Sequence, residues 1–301
     1  MKELSLMLHP FHFPQWTDAQ PQPELISKGH LVFRRSPAQK TYLAHQYLEH
    51  PFHITRPFYL DAAMPEFATL YLQSSSGGIV QGDRLQFQVE VQAGAAVQVT
   101  TQAATKVHTM EQGFASQHIN IQVKNNGYLE YLIDPLILFP KSRLLSSTQV
   151  YLEPDATLIL SDSFIIHQSD LSSEPTPDLY ANELIIQNFN NQPLAIDRFY
   201  FDSQIKLSSL PDFRNPLIPY QAQATIFIIC RNSPLKDVLS KLQTRCAGLP
   251  NCYVGFSTLP NNCGVWMRLL TEARSLKKSL EICYAACREV VAEQPWTRRR
   301  K

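Results

Sequence analysis

Leu85-Gln86-Phe87-Gln88-Val89-Glu90-Val91-Gln92 alternates apolar and polar residues without a fault. A period of two puts Leu85, Phe87, Val89 and Val91 on one face of an extended chain and the four polar side chains on the other, the pattern of a half-buried strand. The same alternation returns in Val97-Gln98-Val99-Thr100, in His118-Ile119-Asn120-Ile121-Gln122-Val123 and in Leu129-Glu130-Tyr131-Leu132, all rich in β-branched and aromatic residues. It dominates from about Leu31 to Cys230, so strands build most of the chain.

Turns separate these strands at a spacing of roughly 30 residues. Val91-Gln92-Ala93-Gly94, Val123-Lys124-Asn125-Asn126-Gly127 and Leu152-Glu153-Pro154-Asp155-Ala156 each precede a further strand. Asn-Gly is a hairpin signal because both residues tolerate positive φ, so each unit is expected to be strand, tight turn, strand. Since no helical stretch intervenes, the units are expected to stack into a mainly β body, β-helix-like or sandwich-like layers of antiparallel or mixed strands, rather than a βαβ sheet.

Helical spacing arrives only near the C-terminus. Ser233 is placed to cap and Pro234 to open a helix near 233–247, with Leu235, Val238, Leu239 and Leu242 as its apolar stripe and Gly248 as its stop. A second helix is expected near 272–292, with Leu276, Leu280, Cys283, Cys287 and Val291 along one face and Pro295 beyond it. The expected organisation is an N-terminal segment 1–29, one β-rich domain over 30–296 and a basic tail 297–301. Asp170 to Asp178, with two prolines and two serines, reads as a loop within the β region.

With 44% hydrophobic residues the 301-residue chain can fill a large core, which excludes global disorder. Its 27 basic and 26 acidic residues leave a net charge of +1, so no long-range field draws it to nucleic acid or to an anionic membrane. Met1 to Trp16 lacks the continuous apolar region of a secretory signal, and no stretch approaches ~20 apolar residues. A cytoplasmic protein is expected. All six cysteines fall between Cys230 and Cys287 without a C-x-x-C pair. Reduced core thiols are the expected state, with a metal or redox role as the alternative.

Glycine is scarce, ten in all, yet three fall in Gly77-Gly78-Ile79-Val80-Gln81-Gly82-Asp83-Arg84. The spacing from Gly77 to Gly82 imitates a phosphate loop, but Asp83 and Arg84 stand where Lys and Ser or Thr would meet phosphate and magnesium, and a strand follows. Nucleotide binding is excluded and an unusual turn is expected. The tetrapeptide His9-Pro10-Phe11-His12 recurs as His50-Pro51-Phe52-His53; paired imidazoles suit a borderline metal, but no Cys or carboxylate completes a four-ligand set, so ordinary structural histidines are expected, with weak metal binding as the alternative. Among the carboxylates, Glu130 alternates away from Leu129 and Tyr131 and Asp134 follows at the strand end, with Asp162 and Asp170 further on. These residues are read either as exposed or ion-paired groups or as an acid/base pair.

Taken in order, Gly77-Gly78-Ile79-Val80-Gln81-Gly82-Asp83-Arg84-Leu85, Ala93-Gly94-Ala95, Thr100-Thr101-Gln102-Ala103-Ala104-Thr105-Lys106-Val107 and Leu129-Glu130-Tyr131-Leu132-Ile133-Asp134-Pro135 resemble the urease accessory protein family called UreD, or UreH in some organisms. His50-Pro51-Phe52, Arg56-Pro57-Phe58-Tyr59 and Gly264-Val265-Trp266-Met267-Arg268-Leu269-Leu270 extend the likeness over roughly residues 30 to 296. The resemblance implies a stacked-strand protein with two C-terminal helices that acts as a non-catalytic urease chaperone. Its implied partners are a helical accessory protein (UreF), a GTPase (UreG) reached through UreF, and apo-urease.

No tightly bound cofactor is implied, only transient Ni²⁺ passing along a polar internal route. Glu130 and Asp134 occupy the matching strand as candidate lining, and Gly77, Gly78, Gly82, Asp83, Thr101, Gln102 and Lys106 make up the partner-facing or structural motif. The chain departs from the family pattern at Gln81, at His108 and in Ile166-His167-Gln168-Ser169-Asp170. The rival readings are a β-structured hydrolase using Glu130 with Asp134 or Asp162, and a generic β-rich interaction module.

Overall fold

In a computed structural model the described residues are 26–167, 177–203, 220–230, 233–249 and 251–297. The first strands are β1 (Ile26–Arg35), β2 (Thr41–Leu48), β3 (Phe52–Ile54), β4 (Ala68–Ser74), β5 (Arg84–Val91), β6 (Ala96–Thr101), β7 (Thr105–Val107) and β8 (Ala115–Val123). There follow β9 (Tyr128–Leu132), β10 (Leu136–Leu138), β11 (Arg143–Leu152), β12 (Thr157–Ile166), β13 (Leu179–Asn188), β14 (Pro193–Asp202) and β15 (Ala222–Ile229). Helix α1 (Leu235–Arg245), β16 (Cys252–Thr258), β17 (Gly264–Thr271) and helix α2 (Ala273–Val291) complete the order. No described helix is long and apolar enough to cross a membrane.

The strands form two facing sheets. One runs β14, β13, β11, β8, β5, β1, β2, and the other β16, β17, β15, β12, β9, β6, β4, β3, with β7 and β10 attached beside β12. Through the middle of the chain the long strands alternate between sheets, so that β5 and β6, β8 and β9, and β11 and β12 each make one coil of a stack. Within each sheet the coils pair in parallel: β5 with β8, β8 with β11, β6 with β9, β9 with β12. This is the expected layered, β-helix-like architecture.

The three turns do not close hairpins, because the strands flanking each of them lie in opposite sheets. The Asn-Gly site shows why. A type I′ turn needs positive φ at both central residues, but only Asn126 has it, at 55°. Gly127 serves close packing instead: a Cβ there would lie 2.7 Å from the Lys124 carbonyl oxygen and 2.9 Å from Val123 Cγ1. Turn backbones bond to the next coil, Tyr128 N–H to the Ala95 carbonyl and Thr157 N–H to that of Gly127, each at 2.9 Å.

Alternation then sorts the side chains. Leu85, Phe87, Val89 and Val91 are all buried, as the opening octapeptide requires. The outer face of the second sheet is covered by both helices, and β15, caught between helices and core, is buried at every position. Val238 and Leu242 of α1 and Leu276, Leu280, Cys283 and Cys287 of α2 enter this layer, each fully buried large apolar side chain contributing about 1.5–3 kcal/mol.

Both helices start later than the sequence places them, near 235 and 273. Pro234 itself occupies the cap position with no side-chain cap hydrogen bond. Ser233 is one residue too early to cap, its N–H tied to the Cys230 carbonyl in a turn. The helix ends at Arg245 with Cys246 as its cap, and Gly248, expected as the stop, lies in the turn two residues further on with φ 76°. Five cysteines are buried and Cys252 is half-buried, with the Cys246 and Cys283 sulfurs 3.9 Å apart. The first histidine tetrapeptide, the basic residues from Arg298 on and most of the loop from Asp170 lie outside the described residues.

Candidate functional site

Most inward-facing positions of the sheets are apolar, and polar ones gather about one row. In the seven-stranded sheet Gln117, Ser146 and Asn182 stand side by side on β8, β11 and β13, in register. On one side of them lies the row Ala115, Leu144, Tyr180; on the other lie Ile119, Thr148 and Leu184. From the opposite sheet Asp162 points into the same layer, between the inward Leu160 and Phe164 of β12, and accepts a hydrogen bond from the Asn182 amide. This polar seam divides the inter-sheet core in two: Phe87, Ile119, Leu160 and Leu184 belong to one apolar cluster, and Leu85, Leu144, Phe164 and Tyr180 to another.

The seam forms the wall of a cavity of about 310 Å³, lined by Gln117, Ser146, Thr148, Asp162 and Asp134 among others. Its lining runs from exposed Ser74, Gly77, Gln102 and Ala103 to deeply buried Leu160 and Leu184, so it reaches from solvent at the glycine turn into the core. The surface that Asp162 keeps faces this space. Burial, and then the negative charge of Asp197, push its carboxyl up to about 6, against the opposing pull of Asn182 and Arg268. Two nearby hydroxyls, those of Ser163 and Tyr180, are buried without a hydrogen-bond partner. In the second sheet the row continues from Asp162 through Thr225 to Arg268 of β17, which bonds Asp197 of β14 at 2.6 Å and Thr225 at 3.1 Å.

The raised Asp162 value fixes the sign of a pH effect. The folded carboxyl holds its proton up to about pH 6, whereas the unfolded chain releases it near pH 4, so folded stability falls as pH rises through that window. The expected loss is about 2–3 kcal/mol. Asp162→Asn should abolish this share of the fall, raising stability relative to the parent more at pH 7.5 than at pH 4.5 in urea titrations. Equal pH dependence in both proteins would show that the carboxyl does not titrate in this way.

The glycine turn forms the mouth. Gly78 has φ 143°, and a Cβ on it would lie 2.4 Å from the Lys106 carbonyl oxygen, the oxygen that accepts the Ile79 N–H at 2.8 Å. Only glycine lets the two segments approach so closely. Asp83 folds the turn back by accepting the Val80 N–H at 2.9 Å, and Gly82 has φ 85°. Thr101 Oγ1 accepts the Asp134 N–H at 2.8 Å, and Gln102 accepts from Gln73.

Gly77, Gly78, Thr101, Gln102, Lys106 and Asp134 therefore line one cavity, although the sequence separates them by up to 57 positions (134 minus 77). Gly82 and Asp83 shape its rim. Two of the departures from the family pattern meet here as well. His108 and His167 flank Phe139 in a ring stack, with centroids 5.7 and 4.4 Å apart, and His108 packs over Gly78. Gln81 accepts the Gln112 N–H at 2.8 Å; Gln168 to Asp170 lie outside the described residues.

Glu130 stands elsewhere. It lies on the helix-facing side of β9, fully buried, and both its oxygens bond the guanidinium of Arg288 on α2. Tyr128 and Gln98 each donate to it at 2.7 Å. Arg288 Nη1 also reaches Asp61 at 2.5 Å, and the guanidinium lies 4.4 Å from the Phe67 ring centroid. Burial opposes the charge on Arg288, but the hydrogen bond and charge of Glu130 prevail and hold it above its usual value. The ion-paired reading of Glu130 is the one that the structure takes, and Glu130 and Asp134 do not converge on one space as an acid/base pair would.

Arg288, Asn182, Gln117 and Ser146 were not singled out as site residues by the sequence, and Asp162 was named only as an acid/base partner for Glu130. The signal was a polar residue at an inward position of an apolar stripe.

The chain matches the family described as UreD urease accessory protein over residues 27–301. It is 33% identical over 265 residues to the urease accessory protein UreD 1 of Pseudomonas syringae pv. syringae, covering 87% of this chain and 90% of the relative. Against UreD 1 of Methylorubrum extorquens it is 33% identical over 273 residues, 90% of either chain. UreD of Photorhabdus laumondii is 29% identical over 246 residues, 80% of this chain and 75% of that one. With a match across nearly all of the described fold, the chain belongs to the UreD family of urease accessory proteins, and its role lies in urease maturation.

Proposed function

We propose that this protein is a non-catalytic, cytoplasmic scaffold that binds a UreF-type helical protein, reaches a UreG-type GTPase through it, and docks on apo-urease while nickel passes through its interior. The observation that carries the reading is the polar seam, a hydrophilic layer between two apolar clusters of the core, with Asp134 and Asp162 on the walls of one cavity. An ion crossing a protein needs oxygen ligands that replace part of its water shell without holding it. Carboxylates, amide and hydroxyl oxygens bind Ni²⁺ less tightly than imidazole or thiolate does, and the seam is built of such groups. Among the described residues no three His, Cys, Asp or Glu side chains gather as a cage.

In this reading Glu130, neutralised by Arg288, holds α2 on the sheet, and the glycine turn with Thr101, Gln102 and Lys106 frames the opening toward a partner. The test is complementation. Expressed in a urease-positive host deleted for its own UreD, the protein should restore nickel-dependent urease activity and co-purify with the UreF-type protein. No restoration in its native host, with the protein soluble and abundant, would remove the reading.

A further inference from the structure

We infer that the free edge of β2 and the groove beside it form a docking site for an extended acidic segment of a partner protein, added as a further strand to the seven-stranded sheet. This surface is separate from the seam and does not depend on the nickel reading.

Edge strands expose unpaired backbone groups and natural sheets defend them. Among the described residues two of the four edges are defended, by charge and proline or by shortness, and a third carries the helix layer on one of its faces. Strand β14 carries Pro193, Asp197, Arg198 and Asp202 and a register shift against β13; β3 has three residues; β16 packs Cys252, Val254 and Phe256 into the helix layer. Strand β2 differs. Its eight residues, Thr41-Tyr42-Leu43-Ala44-His45-Gln46-Tyr47-Leu48, contain no proline and no Asp, Glu, Lys or Arg. Tyr42 and Tyr47 are 41% and 50% exposed. Thr41 is engaged, its N–H by the Glu66 carbonyl and its carbonyl by the Tyr59 hydroxyl. From Tyr42 onward no backbone bond reaches β2 from outside β1 among the described residues.

A groove of about 560 Å³ runs along this edge between Tyr42, Leu43 and Leu48 on one wall and Ile54, Arg56 and Tyr59 on the other. Charge names the occupant. The whole chain is nearly neutral, yet residues 28–60 hold Lys28, Arg34, Arg35, Lys40 and Arg56 against the single acid Glu49, and Glu49 is bonded to the Lys28 N–H and the Tyr47 hydroxyl. Arg56 lines the groove, and the Lys40 ammonium lies 3.9 Å from the centroid of Tyr59, which also lines it. Strand addition supplies main-chain hydrogen bonds, alternate apolar side chains fill the groove, and carboxylates face the two cations.

The test uses the full-length protein with two blocked peptides, acetyl-(Val-Glu)4-amide and acetyl-(Val-Lys)4-amide, followed by fluorescence anisotropy and by amide exchange in β2. Saturable binding of the Val-Glu peptide is expected, with slowed exchange at Leu43 to Tyr47. Lys40→Glu with Arg56→Glu should weaken it at least about tenfold and transfer binding to the Val-Lys peptide. Binding of neither peptide, equal binding of both by the parent, or β2 protection that rises with protein concentration alone, as a second copy on the edge would give, overturns the proposal.

Discussion

Arg288→Met is expected to destabilise the protein by about 3–5 kcal/mol, the usual consequence of removing one member of a buried ion pair and stranding the other. Here the consequence is sharper than usual, since two carboxylates, Glu130 at 0% exposure and Asp61 at 5%, face one guanidinium. Without it, like charges meet in a low-dielectric layer in which Gln98 and Tyr128 are the remaining donors to Glu130. In thermal denaturation the midpoint should fall by roughly 6–15 °C. A control separates charge from packing: Arg288→Met combined with Glu130→Gln and Asp61→Asn removes the stranded charges and should be more stable than Arg288→Met alone. If the triple variant is no better than the single one, the loss is one of packing and the electrostatic account fails.

The second large effect concerns function. Asp134→Asn with Asp162→Asn keeps the shape of the cavity and removes both carboxylate charges from its walls, so nickel-dependent activation of urease should drop by about tenfold or more. That is the slowing produced by about 1.4 kcal/mol of added barrier. Complex formation with the UreF-type protein should be unchanged, because both residues line the interior. Ser146→Leu provides an independent measurement, because it places an apolar side chain in the middle of the row Gln117, Ser146, Asn182 and leaves both carboxylates in place. Undiminished activation in both variants would mean that the ion does not travel through the seam.

The sequence carried face assignments well and neighbours poorly. Perfect alternation in Leu85 to Gln92 becomes perfect alternation of burial in β5, and alternation correctly turned Glu130 away from Leu129 and Tyr131. The helix stripes were equally legible, since Cys283 and Cys287 recur at the spacing of one face. What alternation cannot supply is register, and the seam is a matter of register: residues 117, 146 and 182 form a row only because β8, β11 and β13 pair in one alignment. The pair of Glu130 with Arg288, 158 positions apart, was illegible for the same reason. Asn126-Gly127 misled in a different way. The dipeptide promises a chain that doubles back on its own strand, whereas a coil that finds its hydrogen bonds in the next coil has no need to pair with itself.

The turn-to-turn bonds from Tyr128 to Ala95 and from Thr157 to Gly127 have an evolutionary consequence. Each loop of the spiral touches chiefly the loops before and after it, so the architecture is modular. A duplicated segment of about thirty residues, spliced in at Pro154-Asp155, would lengthen both walls together and leave either end of the protein to fold as before. Lineages built on this plan are free to vary in reach without redesigning what lies at their tips.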